Sequence, residues 1–126
     1  MKRTLTALTL AASMFANGAS AFNPDDLQKL KDTNSCVQCN LQGANLQGVN
    51  LQDANLQDAD LRGANLRGAF LRGANLRGAT LWDANLQDVD LSSAVLRDAR
   101  LIGAIMNGVI LCNTTMPDGS VIYSGC

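Results

Sequence analysis

The sequence predicts an all-β solenoid, a chain that winds into stacked coils by bending once in every repeat. From Leu41 to Leu111 an apolar residue stands at every fifth position, fifteen times in succession, and all are leucine except Met106. A small residue precedes each by two positions; it is alanine or valine in every repeat except the first, which has Cys39. A period of five fits neither a helix of 3.6 residues per turn nor a strand of period two, so neither element alone would bury these side chains together.

Each repeat bends at the three residues other than the small residue and the leucine. The small residue and the leucine, two positions apart, point the same way in a short extended segment, and the other three residues turn a corner that faces water. Glycine, aspartate and serine suit such corners because they tolerate unusual backbone angles or bond their own backbone. They occupy the corner at Gly43, Gly48, Asp53, Asp58, Gly63, Gly68, Gly73, Gly78, Asp83, Asp88, Ser93 and Asp98.

The spacing of three valines favours four repeats per coil. Val49, Val89 and Val109 replace the usual alanine, and they are separated by 40 and 20 residues. All three fall in one column if a coil contains 20 residues and has four sides. The core would then be a narrow column of leucine and alanine, which agrees with only five aromatic residues in 126.

Residues 40–111, as tandem Ala-(Asn/Asp)-Leu-x-x units, resemble the pentapeptide-repeat proteins. The flanking segments 36–41 and 111–119 resemble those of short exported members that are common in cyanobacteria. The resemblance implies a right-handed quadrilateral β-helix, and most of those exported proteins have no assigned activity.

Residues 1–21 are predicted to be a secretory signal peptide. Basic residues at positions 2 and 3 precede a mostly apolar stretch over 5–16, and small residues stand at 19–21, so cleavage is expected between Ala21 and Phe22. The apolar stretch is too short to span a bilayer. We therefore expect an exported mature protein, in the periplasm or thylakoid lumen, with no stable membrane insertion after signal removal. Its eight basic and eleven acidic residues give a net charge of −3.

The mature chain is expected to carry a cap at each end of the array. In the N-terminal cap, 22–39, Asn23-Pro24-Asp25-Asp26 is typical of a helix start. The repeat array follows over 40–116. In the C-terminal cap, 117–126, a Pro-Asp-Gly turn precedes a short strand or hairpin at 121–123. We expect this hairpin to cover three outward apolar residues, Ile102, Ile105 and Ile110.

The four cysteines are predicted to form two local disulfides. Nearly four coils would separate the two ends by roughly 15–20 Å, whereas a disulfide needs Cα atoms within about 7 Å. Only the pairs Cys36–Cys39 and Cys112–Cys126 satisfy this limit, and the same distance excludes a four-cysteine zinc site. The Cys-x-x-Cys spacing leaves a redox role open, although that motif normally needs a βαβ context. Haem attachment would need histidine at position 40, where asparagine stands.

The sequence offers few groups for chemistry. It contains no histidine and no glutamate, so a serine or cysteine nucleophile would lack a base. We predict no catalytic, cofactor-binding or metal-ligating residue, no enzymatic activity and no small-molecule substrate.

Four arginines, Arg62, Arg67, Arg72 and Arg77, form a belt one coil thick. The simpler interpretation is that aspartates of neighbouring coils neutralise these arginines. The alternative is that the belt binds an anion or a partner protein. Phe70 and Trp82 also point outward, on different faces or corners.

These observations favour an exported structural or protein-interaction module whose partner is unknown. One alternative is a thiol–disulfide role for Cys36 and Cys39. Another is mimicry of DNA, by which some pentapeptide-repeat proteins bind type II topoisomerases. Mimicry requires a strongly acidic surface and a cytoplasmic location, whereas this chain has an arginine belt, a modest charge and an export signal. We therefore expect no nucleic-acid partner.

Overall fold

In the computed structural model, residues 22–126 are described. The predicted signal peptide, with Ala21 at its cleavage site, lies outside them and stays a prediction. The regular elements are helix α1 (Pro24–Thr33), strand β1 (Thr114–Thr115) and strand β2 (Val121–Ile122). Between α1 and β1, bends alternate with isolated parallel β-bridges, so the repeat array contains almost no extended strand.

Each repeat makes the same corner, and two residue types explain it. The corner residue adopts a left-handed conformation, for example Asp53 with a φ of 58° and Gly63 with a φ of 65°. The asparagine or aspartate before the leucine accepts a hydrogen bond from the N–H two residues later, as Asn85 does from Gln87 at 3.0 Å. The first feature was expected from the corner composition. The second explains why asparagine precedes so many of the leucines.

Four repeats complete one coil. The parallel bridges join residues 20 positions apart, from the Ser35–Asn55 bridge to the Val95–Thr115 bridge. The four sides of the last complete coil carry Arg100, Ile105, Ile110 and Thr115, and we name each side after its residue. Asn50, Phe70, Asp90 and Ile110 bridge in succession along one side, immediately after the column that contains the three valines. The valine spacing thus predicted the 20-residue coil correctly.

The core is a single column of leucine and alanine that is buried along its length except at Val49 in the first coil and in the last coil. Twelve leucines, one per repeat from Leu41 to Leu96, are buried. Leu101, Met106 and Leu111 are only partly buried, together with Ala104 and Val109. The predicted column of leucine and alanine is therefore incompletely buried at its last three repeats, because no further coil lies over them.

Helix α1 lies at the N-terminal end of this column. Asn23 begins it by accepting hydrogen bonds from the N–H groups of Asp25 and Asp26 at 2.9 and 3.4 Å. Its Leu30 is buried in the core cluster, and the Asp26 carboxylate accepts a hydrogen bond from the Asn40 N–H at 2.8 Å. The helix thus contacts the first repeat through both apolar and polar groups.

The C-terminal segment forms the expected hairpin, but it covers less than expected. Strand β2 pairs antiparallel with β1, with Thr114 opposite Ile122 and Thr115 opposite Val121. Ile102, Ile105 and Ile110 remain 73%, 47% and 39% exposed, so the prediction that the hairpin covers them was wrong. The reason is the location of the hairpin, because β2 extends the Thr115 side and leaves the opposite Ile105 side open. Near Ile110 the C-terminal segment contributes only a contact at Gly125, which leaves that side chain partly exposed.

Candidate interaction surface

The Ile110 side of the solenoid carries the most varied surface chemistry. Along it, the outward position changes from Asn50 through Phe70 and Asp90 to Ile110 in successive coils. Phe70 is 54% exposed, at a position that carries asparagine in seven of the fifteen repeats. We call this surface the Phe70 face and define it by Asn50, Gln52, Phe70, Arg72, Asp90, Ser92, Ser93 and Ile110.

Two shallow cavities meet on the Phe70 face. One has a volume of about 370 Å³ and lies between Arg72, Asp90, Ile110 and the C-terminal disulfide. The other has a volume of about 320 Å³ and lies between Asn50, Phe70, Arg72 and Asp90. Because both are lined by Arg72 and Asp90, they form one groove that runs along the solenoid axis.

The groove contains one charge that is held in place, the Asp90 carboxylate, and one that remains exposed to solvent, the Arg72 guanidinium. The Asp90 carboxylate accepts a hydrogen bond from the Ser92 N–H at 2.9 Å and lies 3.6 Å from Arg72 Nε. Burial acts to raise the pKa of Asp90, but the Ser92 hydrogen bonds and the Arg72 charge outweigh it, so the pKa is lowered. The Arg72 side chain is 61% exposed. Asp90 is therefore anionic at neutral pH, while the guanidinium remains accessible to a partner.

The other belt arginines differ from Arg72. Arg62 pairs with Asp60 of its own repeat, with 2.7 Å between Nη2 and Oδ2, and this hydrogen bond lowers the pKa of Asp60. Within residues 22–126, Arg67 and Arg77 make no ion pair. Neutralisation by a neighbouring coil therefore applies to Arg72 alone.

Trp82 lies on another side, near Arg62. A cavity of about 300 Å³ separates Gln42, Arg62 and Trp82 there. Phe70 and Trp82 thus belong to different surfaces, as the sequence predicted. Sequence reasoning missed the grouping of Phe70, Arg72 and Asp90, although reading the sequence at a spacing of 20 residues would have placed all three on one side.

The cysteines are joined locally at each end. The sulfur atoms of Cys36 and Cys39 are 2.04 Å apart, and those of Cys112 and Cys126 are 1.97 Å apart. The first pair is buried beneath α1, whereas Cys126 is exposed. Among the described residues, no group of histidine, cysteine, aspartate or glutamate could hold a metal ion. The same part of the chain has no helix long and apolar enough to cross a membrane.

Known proteins match the chain over its repeat array. The sequence pattern of pentapeptide repeats matches in eight copies, over residues 39–78 and 74–113. A solved pentapeptide repeat protein from Nostoc PCC 7120 is 40% identical, covers 70% of this chain and 73% of its own, and has a TM-score of 0.65. Another solved pentapeptide repeat protein, from the thylakoid lumen of Arabidopsis thaliana, is 28% identical. The match covers 67% of this chain and 62% of that protein, with a TM-score of 0.59. No curated protein matches the sequence.

Proposed function

The chain belongs to the pentapeptide-repeat family, and from this premise we propose that it is an exported, non-catalytic module that binds another protein through the Phe70 face. The family and its solved structures imply a right-handed quadrilateral β-helix. Export is supported by the signal-like N-terminus, by the two disulfides and by the lumenal origin of the Arabidopsis relative. The compartment is the periplasm or the thylakoid lumen.

The groove on the Phe70 face is the observation that carries the proposal. An exposed aromatic ring, an accessible guanidinium and a fixed carboxylate lie side by side there on a rigid surface. Aromatic and arginine side chains contribute most to protein–protein binding energy. The groove is shallow and open, which suits the surface of another protein better than a small molecule, whose sites are concave and enclosing.

The repeat itself supplies substitutions that preserve the coil. Asparagine occupies the position of Phe70 in other repeats, as at Asn65 and Asn75, and glutamine occupies that of Arg72, as at Gln52. Phe70→Asn and Arg72→Gln should therefore leave the fold and melting temperature nearly unchanged. Arg77→Gln is the matched control, because Arg77 occupies the equivalent corner on the Thr115 side, away from the groove.

The experiment is a quantitative affinity capture from periplasmic or lumenal extract of the source, with oxidised mature protein 22–126 as bait. We expect one partner to be retained by the wild type and by Arg77→Gln and to be depleted at least tenfold by Phe70→Asn and Arg72→Gln. Capture that is equal for all four baits would contradict binding through the Phe70 face.

The alternative redox role receives less support. Cys36 and Cys39 are both buried, so an exchanging thiolate would have to displace α1 to reach either sulfur. DNA mimicry receives less support too, because Arg62, Arg67, Arg72 and Arg77 interrupt the acidic surface in every direction. We therefore do not propose either activity.

A further inference from the structure

One corner of the last coil contains the only Asn-Gly dipeptide of the predicted mature chain, Asn107-Gly108. In such a dipeptide the backbone nitrogen of the glycine can attack the asparagine side chain, because glycine has no side chain to hinder the attack and leaves the backbone free to rotate. Seven other asparagines precede a core leucine, whose side chain crowds the same nitrogen. The sequence therefore makes Asn107 the most reactive asparagine of the mature chain.

The repeat array also holds those seven asparagines by hydrogen bonds. At each of them the N–H of the following leucine donates to a carbonyl of the next coil, as Leu86 does to Ile105 at 2.8 Å. The side-chain oxygen of each asparagine accepts from the N–H two residues later, as Asn85 does from Gln87 at 3.0 Å. Both groups that would have to react are thus already hydrogen bonded.

The corner at Asn107 lacks this protection because no coil lies above it. At the same corner in earlier coils, the Gly68 N–H donates to the Gln87 carbonyl and the Asp88 N–H donates to the Asn107 carbonyl, both at 2.8 Å. Within residues 22–126, the equivalent Gly108 N–H has no hydrogen-bond partner. Asn107 and Gly108 are both exposed. The nitrogen that would attack is therefore free.

The mature chain has one comparable dipeptide, Asp118-Gly119 in the C-terminal hairpin, and its groups are held in place. The Asp118 carboxylate accepts hydrogen bonds from the hydroxyl and the N–H of Ser120 at 2.6 and 2.9 Å, which lower the pKa of Asp118 and keep it ionised. The Gly119 N–H donates to the Met116 carbonyl at 2.8 Å. Because an ionised carboxylate is a poor target for a nitrogen nucleophile, this dipeptide should be stable.

We propose that Asn107 is a self-modification site at which the folded protein loses ammonia. The Gly108 nitrogen gives up its proton and bonds to the side-chain carbonyl carbon of Asn107, and the side-chain nitrogen leaves as ammonia. Water then opens the resulting cyclic imide at one of its two carbonyl groups. The product is an aspartyl residue or an isoaspartyl residue, in which the main chain runs through the former side chain. Water is the only co-reactant, so the step requires no enzyme and no cofactor.

The modification changes both the charge and the shape of the open end. The net charge of the mature chain falls from −3 to −4, because twelve acidic residues instead of eleven then face eight basic ones. The Asp88 carboxylate already lies against Gly108, so the new carboxylate arises beside an existing one. The isoaspartyl product also has one more main-chain carbon in this corner. Both changes should weaken the last coil and leave the coils beneath it intact, so that the C-terminal end records the age of each molecule.

The first test compares two corners within one molecule. Arg67→Asn creates a second Asn-Gly dipeptide two coils before Asn107, at a corner where the Gly68 N–H is hydrogen bonded to the coil above. The oxidised mature variant is incubated at neutral pH, and peptide mapping by mass spectrometry follows the deamidated fraction at positions 67 and 107. We expect position 107 to react about tenfold faster or more, because the interior corner must first break an additional hydrogen bond beneath another coil.

The second test separates structure from sequence. When the same variant is reduced and denatured, positions 67 and 107 should react at nearly equal rates, since both asparagines then precede a glycine in an unfolded chain. In the folded protein, Asn107→Gln should abolish the more acidic form that accumulates in the wild type. Glutamine forms a cyclic imide far more slowly, and it already occupies this corner at Gln87.

Two outcomes would overturn the proposal. One is an equal rate at positions 67 and 107 in the folded variant, which would mean that the open coil has no effect. The other is an Asn107 that reacts in the denatured chain but stays intact in the folded protein over the same period. Neither measurement involves a partner protein, so this proposal and binding through the Phe70 face are tested separately.

Discussion

Gly73 lies directly against the Asp53 carboxylate of the preceding coil, in a space that an added Cβ atom would share with Asp53 Oδ1. The same relationship joins Gly78 to Asp58, Gly103 to Asp83 and Gly108 to Asp88. An aspartate at a corner thus reaches the glycine 20 residues later. The two residue types at the corner positions are therefore coupled between coils and are not interchangeable at every corner.

Alanine substitution at two glycines tests this coupling. Gly63 has a φ of 65° and no atom within 4 Å of an added Cβ, so Gly63→Ala should cost only the left-handed backbone penalty of ~1–2 kcal/mol. Gly73, with a φ of 71°, should lose more because the Asp53 side chain must also move. Chemical denaturation measures both values. Asp53→Gly should reduce the excess cost of Gly73→Ala, and equal costs at Gly63 and Gly73 would contradict the coupling.

The stability lost on substitution should depend both on whether the residue points inward and on which coil contains it. Leu66→Ala and Leu71→Ala, in the middle of the column, should each cost ~2–5 kcal/mol in the free energy of unfolding. Leu101→Ala should cost less, because Leu101 lies in the partly exposed last coil. Arg67→Ala, next to Leu66 but outward, should cost below ~1 kcal/mol. Equal costs at Leu66 and Arg67 would contradict the register.

The sequence predicted the interior of this protein better than its ends and its surface. The five-residue period correctly predicted that Leu66 points inward and Arg67 outward, because the backbone bends in the same way in each repeat. It could not predict that Leu101 and Met106 lie partly open, because that depends on where the hairpin folds back. The groove between Phe70, Arg72 and Asp90 was missed for a related reason. These residues are neighbours only through the 20-residue coil, and the ion pair depends on side-chain reach rather than on the repeat.

A reductant should break the C-terminal disulfide before the N-terminal one. Cys126 is exposed while Cys36 and Cys39 are buried, so a dithiol reductant should open Cys112–Cys126 first. That bridge spans 14 residues, for which the chain-entropy estimate is ~3 kcal/mol. Its loss should lower the melting temperature and loosen residues 117–126, while the circular dichroism of the coil persists at room temperature. Peptide mapping after timed reduction measures the order. An intramolecular bridge between an N-terminal and a C-terminal cysteine would contradict the solenoid.

Stability should be nearly constant from pH 7.5 to 5.5 and fall only in stronger acid. The chain has no histidine, and the pKa values of Asp60, Asp90 and Asp118 are lowered by their hydrogen bonds. A carboxyl group with a lowered pKa stabilises the folded state above its unfolded pKa, near 3.8, and loses that contribution as the pH falls through its folded value. Melting temperatures measured from pH 7.5 into strong acid, below the unfolded pKa of aspartate, test this expectation. Asp60→Asn should make the acid decline shallower, and a marked loss of stability between pH 7 and 5 would contradict this account.

Photo-crosslinking in the living source tests most directly the central claim, that an exported module binds a protein through the Phe70 face. A photoreactive amino acid is placed at position 70 of the full chain and, as the control, at position 82 on another side. We predict one crosslinked partner from position 70, none from position 82, and a mature chain that begins at Phe22 in the extracytoplasmic fraction. A crosslinked product that forms equally from both positions, or a chain that still begins at Met1 in the cytoplasm, would contradict the claim.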